Sequence, residues 1–240
     1  MATYRDPTWG SEYYDYPHLA SDNIKICLVS VTEVKILALE LVNIVTATSW
    51  MLELDNTTRR AYERTVADTA SILVEIFNEI EQDPSALTED FGELMVSLGS
   101  ARALELIFSH RSVPLAELWK PKLKQNEGFD FHTECPTSLV NFGEAKYSKK
   151  SSPHGLSVRQ IDKFLEQEKH LRDGVHLAQL CSQATMANLN SDRFGMVAAF
   201  SINGRNASVI LENARNAASE VAKKHNVEQV FIVGVVYEPQ

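Results

Sequence analysis

Apolar and polar residues change period along this chain, and the changes divide it into elements. Residues 24–32 (IKICLVSVT) alternate apolar with other side chains and are rich in β-branched residues, which predicts a strand. Over residues 33–51 the pattern does not separate helix from strand. From Asn56 onward, Tyr62, Val66, Ala70, Leu73, Phe77 and Ile80 recur every three or four positions, with Arg59, Arg60, Glu63, Arg64 and Asp68 elsewhere on the circumference. This predicts an amphipathic helix capped by Asp55 or Asn56 and ending near Gln82, because Pro84 disfavours a helical residue before it. A second helix is expected from Ser85 or Thr88 to near His110, with Glu89 and Asp90 in the first turn, where the helix dipole favours carboxylates, and a break at Gly99-Ser100.

Residues 115–124 (LAELWKPKLK) read as extended and basic, interrupted by Pro121. GFDF (128–131) and LVNFGEAKYS (139–148) read as neighbouring antiparallel strands joined by a turn around Pro136. A polar basic loop, 148–155, precedes a helix expected over about 158–171. Residues 193–202 form a strand, Asn206 caps a helix over 208–225, and 229–237 (QVFIVGVVY) is a nearly continuous run of β-formers. Strand, helix and fully buried strand make a βαβ unit. The fold class expected is α/β, a mixed central sheet flanked by helices, with residues 1–84 an N-terminal elaboration and residues 85–240 the core, together one compact unit.

Composition narrows the function. The chain has 240 residues, 44% hydrophobic and 23% charged, with 10 Gly and 8 Pro, which excludes disorder and low complexity. The net charge of −9 makes a uniformly basic nucleic-acid surface impossible, so any such contact must be local. Three cysteines, Cys27, Cys135 and Cys181, without a CxxC pair indicate neither a disulfide framework nor a zinc knuckle. His132 and Cys135 are spaced like metal ligands but have no second pair. The opening segment carries Tyr4, Trp9, Tyr13, Tyr14 and Tyr16 among acidic residues, unlike a signal peptide, and the apolar run 41–52 is too short to cross a bilayer, so a cytoplasmic location is expected.

One constellation carries chemistry. Glu144 and Lys146 are two apart in a predicted strand and so share a face, with the Ala145 carbonyl between them, and Asp130 joins them from the neighbouring strand. Two carboxylates and a carbonyl offer hard oxygen ligands to Mg²⁺, which activates water and neutralises phosphodiester charge, while the Lys146 ammonium orients the water or stabilises the developing charge. Lys120, Lys122 and Lys124 precede the constellation and Lys149, Lys150 and Arg159 follow it, a local positive charge suited to phosphate contact. The competing reading is a surface charge pair on an edge strand.

Asp130 in GFDF, Glu144-Ala145-Lys146 in the next strand and the later βαβ unit resemble the PD-(D/E)xK, or restriction-endonuclease-like, nucleases, and the order of elements over residues 88–236 is similar to their αβββαβ core. Phe129 stands where the family name has Pro. The resemblance implies a Mg²⁺- or Mn²⁺-dependent endonuclease acting on DNA, with a further Glu from the preceding helix. Glu93, in FGELM, matches the family's Gly-Glu; Glu105, in ALELIF, is the alternative, or else a structural ion pair with Arg102. Gln160 occupies the place where these nucleases often put a polar residue near the site. More narrowly, the succession FGEL, KPKLK, GFDF, GEAKYS and LENARNAASEVAKKHNVEQVFIVGVVY is similar to the HamA family, the nuclease subunits of Hachiman-type antiphage systems. That likeness implies a helicase or other defence-system partner, for which the aromatic tail and first helix within residues 1–84 offer a docking region, burial of those residues against the chain's own core being the equal alternative. The alternative of another class is a non-catalytic DNA-binding or scaffold subunit retaining the fold.

Overall fold

The computed structural model describes residues 3–83, 87–120 and 128–237. Strands β1 (Thr3–Asp6) and β2 (Ser11–Asp15) form a hairpin, and β2 pairs antiparallel with β3 (Ile24–Val31). Helices α1 (Val34–Thr46), α2 (Asn56–Gln82) and α3 (Glu89–Phe108) follow, then the two-residue strand β4 (Arg111–Ser112) and the single turn α4 (Ala116–Trp119). Strands β5 (Phe131–Glu134) and β6 (Val140–Lys146) lead to α5 (His154–Glu166), α6 (Lys169–Leu177) and α7 (Gln183–Leu189). The unit β7 (Gly195–Ser201), α8 (Ala207–His225) and β8 (Gln229–Tyr237) completes the chain.

All eight strands form one mixed sheet in the order β1-β2-β3-β8-β7-β6-β5-β4. The four central strands β3, β8, β7 and β6 are parallel, and the outer strands on both sides are antiparallel. Strands β7 and β8 are apolar along nearly their whole length because helices cover both faces. Phe231 meets Phe108 at the end of α3 with ring centroids 5.6 Å apart, while a side chain at Gly234 would run into Leu211 of α8. Positions three apart in a strand face opposite ways, so α3 and α8 lie on opposite sides of the sheet. Helix α3 is apolar around almost all of its circumference because α2 packs against its outer side.

The expected α/β class and mixed sheet flanked by helices are present, and several boundaries move. Of the aromatic N-terminal residues, Tyr4, Tyr13 and Tyr14 lie in sheet strands, with Tyr13 fully buried and Trp9, in the turn between β1 and β2, nearly so. The ambiguous segment 33–51 is α1 followed by a 3₁₀ turn (Ser49–Glu53), separated by Ala47 in extended conformation. Residues 34–53 are long and apolar enough to be a membrane span by composition. Their direction breaks at Ala47, however, and a helix of 13 residues reaches only ~20 Å of the ~30 Å of a hydrocarbon core. Asp55 caps α2 by accepting from the Thr57 and Thr58 amides, and Thr88 caps α3 by accepting from the Phe91 amide.

Helix α3 does not break at Gly99-Ser100; burial on both sides offsets the ~1 kcal/mol that an internal glycine costs. Residues 116–119, expected to be extended, form a helical turn because Leu115, Ala116, Leu118 and Trp119 are all buried there. Pro121 lies outside the described residues. In the first site strand, ladder pairing runs from Phe131 to Glu134 rather than over 128–131, and Asp130 is attached by its amide to the Gly143 carbonyl at 2.9 Å. The single helix expected over 158–171 is two, α5 and α6, divided at Glu168 with φ +54°.

Strands β5 and β6 approach closely because Gly143 leaves room for the Phe131 ring, whose atoms would lie 2.5 Å from a Cβ at that position. Gly143→Ala is therefore expected to destabilise the fold by about 1–3 kcal/mol, the range for overpacking. Urea unfolding of the two proteins, with an unchanged denaturant slope, measures it.

Candidate active site

Register brings the constellation together. Phe131 pairs with Gly143, which sets Asp130 opposite Glu144, and Glu144 and Lys146 project from the same side of β6. Asp130 Oδ2 accepts the Ala145 N–H at 2.7 Å. An amide and carbonyl of one strand residue point to the same edge, so the Ala145 carbonyl faces the Asp130 side as well. Lys146 Nζ lies 2.7 Å from Glu144 Oε1 and 3.6 Å from Glu93 Oε1.

Glu93 comes from the first turns of α3, and its neighbour explains how it gets there. A Cβ on Gly92 would fall 2.2 Å from the Tyr147 ring, so only glycine lets α3 approach the end of β6 this closely. Glu105 is twelve residues along α3, ~18 Å away. It pairs with Arg102 at 3.0 Å, and Arg102 also holds Asp6 of β1 at 2.7 Å. The geometry thus puts Glu93 beside Lys146 and gives Glu105 to an ion-pair network tying β1 to α3.

Glu144 is the most constrained group. Its residue has no exposed surface. Lys146 is close but off the direction of a hydrogen bond, and neither carboxylate oxygen accepts one among the described residues. Burial, followed by the charge of Asp130, pushes its carboxyl well above the usual range, and Lys146 offsets only part of this. Burial likewise raises Asp130 to about 6 against the attraction of Lys146 and the Ala145 amide, and raises Glu93. For Lys146 burial acts downward, but Glu144, Asp130 and Glu93 outweigh it and hold the ammonium above its usual value.

A cleft of about 190 Å³ is lined by Asp90, Glu93, Ser97, Glu117 and Asp130, with Ile72 and Ile76 of α2 at its side; Glu144 and Lys146 are not part of its lining. Asp90, Glu117 and the α2 residues were not anticipated as site residues. Asp90 reads as a dipole-favoured residue in a first helical turn, and Glu117 belongs to a segment expected to be extended. Among the described residues no three His, Cys, Asp or Glu side chains converge as a ready-made metal cage. Lys146 takes up the space between Glu93 and Glu144.

The expected phosphate-contacting residues divide. Lys149 and Lys150 are exposed in the loop after β6, and Arg159 is exposed on α5. That loop is tethered by Ser148, whose amide donates to Ser201 Oγ at 3.0 Å. Lys120 is committed elsewhere: its partly buried ammonium lies 2.7 Å from Asp173 of α6 and donates to the Phe129 carbonyl at 3.1 Å. Its basic neighbours suggested a solvated run, whereas its partner lies 53 residues later. Lys122 and Lys124 lie outside the described residues. His132 is buried against the same Asp173 at 3.0 Å, and Cys135 contacts Thr137 at 3.0 Å, so the His132–Cys135 pair does not converge. Gln160 is partly exposed on α5.

Burial pulls the Lys120 ammonium down, while Lys120 and His132 together overcome burial to hold Asp173 below the usual carboxylate range. These two shifts point toward opposite protonation states of the pair. The 2.7 Å contact, with further donors on the same oxygen, favours the charged form.

Compared with protein-family models, curated proteins and solved structures, the chain matches none.

The raised carboxyls have a stability consequence. Between pH 3.8, the ordinary value for Asp130, and about 6, the folded protein keeps a proton that the unfolded chain releases, so stability falls as pH rises through that window. Lys146, raised from 10.5, titrates far above it. In chelator-treated protein, Asp130→Asn should flatten the decline and raise the melting temperature by several degrees at pH 7 but not at pH 4. Melting curves across this range check it, and a wild-type-like slope in the variant would exclude Asp130 as its source.

Proposed function

We propose that this chain is a metal-dependent deoxyribonuclease of restriction-endonuclease-like type, working with a helicase or other defence-system subunit in the cytoplasm. The observation that carries the reading is Glu144: a carboxyl with no exposed surface, paired with the Lys146 ammonium at 2.7 Å and set opposite a second carboxylate, Asp130, which lines an acidic cleft. One ammonium does not balance two such carboxyls, both of which stay raised beside it, so the group can take a further cation. Further support is the order α3, β4, α4, β5, β6, α5, α6, α7, β7, which contains the αβββαβ arrangement of those nucleases once the short helices α4, α6 and α7 are set aside as insertions, with successive strands adjacent in the sheet.

The groups that would hold Mg²⁺ or Mn²⁺ are Asp130, Glu144 and the Ala145 carbonyl, hard oxygen donors suited to either ion. When bound, the ion supplies an activated water and neutralisation of phosphate charge. Glu144, Asp130 and Glu93 hold the Lys146 ammonium above its ordinary value, so it serves as a cation toward the attacking water or the developing negative charge. Glu93 aligns the Lys146 ammonium from the α3 side. Lys149, Lys150 and Arg159 supply phosphate contacts around the site, Arg159 lying two residues from Ser157, whose hydroxyl donates to the Glu144 carbonyl at 2.9 Å. Ile36, Leu39 and Leu52, exposed on α1 and the turn after it, give a partner an apolar surface in the N-terminal part.

Lys146→Ala should lower Mg²⁺-dependent DNA cleavage by ~10²-fold or more, the loss expected for one electrostatic catalyst, with metal affinity unchanged or slightly higher. Glu144→Ala should lose both metal binding and turnover. Cleavage assays with and without the helicase partner, together with metal titration, decide; undiminished cleavage by Glu144→Ala overturns the site.

The phosphate contacts have their own signature. Replacing Lys149 and Lys150 by alanine should weaken DNA binding and flatten the dependence of log affinity on log salt by about 2, near one for each phosphate lost. An unchanged slope would assign both lysines to solvent.

A further inference from the structure

The residue immediately before Asp130 is held in an unusual way. Within β5 the chain is fixed by its ladder to β6, but that ladder ends at Phe131, and Asp130 adds one amide bond to Gly143. Phe129 is instead gripped by side chains. Its N–H donates to Asp173 Oδ2 at 3.3 Å, and its carbonyl accepts from Lys120 Nζ at 3.1 Å. The two gripping groups are themselves paired at 2.7 Å, and His132 Nε2 adds a third contact to the same Asp173 oxygen at 3.0 Å. The clamp is sunk in the core: Asp173 and His132 are buried, the Phe129 ring packs on Phe142 and Phe164, and Trp119 lies over His132. Gly128 completes it, since a Cβ there would fall 2.4 Å from Lys120 Nζ and 2.8 Å from Asp173 Oδ1.

We propose that the Lys120–Asp173 pair is a positioning device for the catalytic centre, clamping both backbone polar groups of Phe129 so that the Asp130 carboxylate is presented to the metal at the end of β5. This rests on the nuclease reading above. The physical reason is economy of reach. A backbone fixed at the residue before and the residue after a ligand leaves that ligand only its side-chain torsions, and such supporting contacts typically change metal affinity or activity by 10- to 100-fold when removed. Two opposite charges suit the task because a peptide group presents a donor and an acceptor, which an anion and a cation satisfy respectively. The pair also joins three separate elements, the turn α4, the start of β5 and helix α6, at the point where Asp130 enters the site.

The test uses the full chain. Removing one charge would strand the other in the core, so the main variant is the double substitution Lys120→Met/Asp173→Asn, which keeps volume and neutrality. In metal-free protein, amide hydrogen exchange at Phe129 and Asp130 should accelerate at least tenfold, with Phe131 to Glu134 still protected. The Mg²⁺ titration midpoint should rise 10- to 100-fold and kcat fall by a similar factor, while KM for DNA stays within twofold. Gly128→Ala, which displaces the clamp without deleting a charge, should shift the metal midpoint in the same direction and carries the test if the double variant does not fold. Wild-type metal affinity and exchange in a folded variant overturn the clamp. Asp130→Asn, measured alongside, separates the two ideas: if it abolishes metal binding while the clamp variants bind normally, only the positioning role fails. Normal metal binding and cleavage by Asp130→Asn reject the catalytic centre itself.

Discussion

A carboxylate kept away from water sets the terms for everything around it. Glu144 sits on β6, a strand flanked by β5 and β7, so its solvation must be supplied by the fold or by something the fold admits. The nearest compensation is Lys146, two residues along the same strand. Positioning that ammonium draws in Glu93, which requires α3 to pass close to Tyr147 and therefore a glycine at position 92. Asp130 adds a second negative charge at the same place, held by the Ala145 amide. Two carboxyls that stay raised beside a single ammonium are a poor way to stabilise a core.

Much of this was legible in the sequence because it depends on short-range periodicity. The three-and-four spacing from Tyr62 to Ile80 and the capping residues Asp55, Thr88 and Asn206 correspond to observed helices and helix starts, and 229–237 is β8 residue for residue. The two-residue period placed Glu144 and Lys146 on one face, and the turn near Pro136 placed Asp130 opposite them. What escaped depends on long-range partners. The KPKLK run reads as solvated, yet Lys120 is committed to Asp173, and nothing in LRDGVHL announces that its aspartate reaches the base of β5. The choice between Glu93 and Glu105 likewise turns on the whole length of α3 and on Arg102 having a second partner, Asp6, near the start of the chain. The strand character of residues 3–15 was hidden by tyrosines interspersed with acids, a pattern that becomes readable only once β3 offers an edge.

Charge is distributed in a way the net value conceals. The global −9 coexists with an acidic cleft and with exposed basic residues in the loop after β6 and on α5. On the nuclease reading proposed above, an acidic surface with local basic residues suits binding that is delivered and oriented by another component better than unaided search along DNA. That division of labour fits a subunit whose substrate is brought to it.

The place of β8 in the sheet has a consequence for how the molecule comes into being. It lies between β7 and β3, pairing in parallel with both, so within the sheet the N-terminal strands meet the site-bearing strands through residues 229–237. On the ribosome, β3 must wait for roughly 200 further residues, ~10–40 s at ordinary synthesis rates, before its neighbour exists. Through that interval Ile26, Leu28 and Val29 belong to an unpaired edge of a marginal two-hairpin ribbon, the kind of nascent surface that invites chaperones or misassembly. Until β8 emerges, β7 has no outer neighbour to brace β6, so the same delay postpones assembly of the group around Glu144.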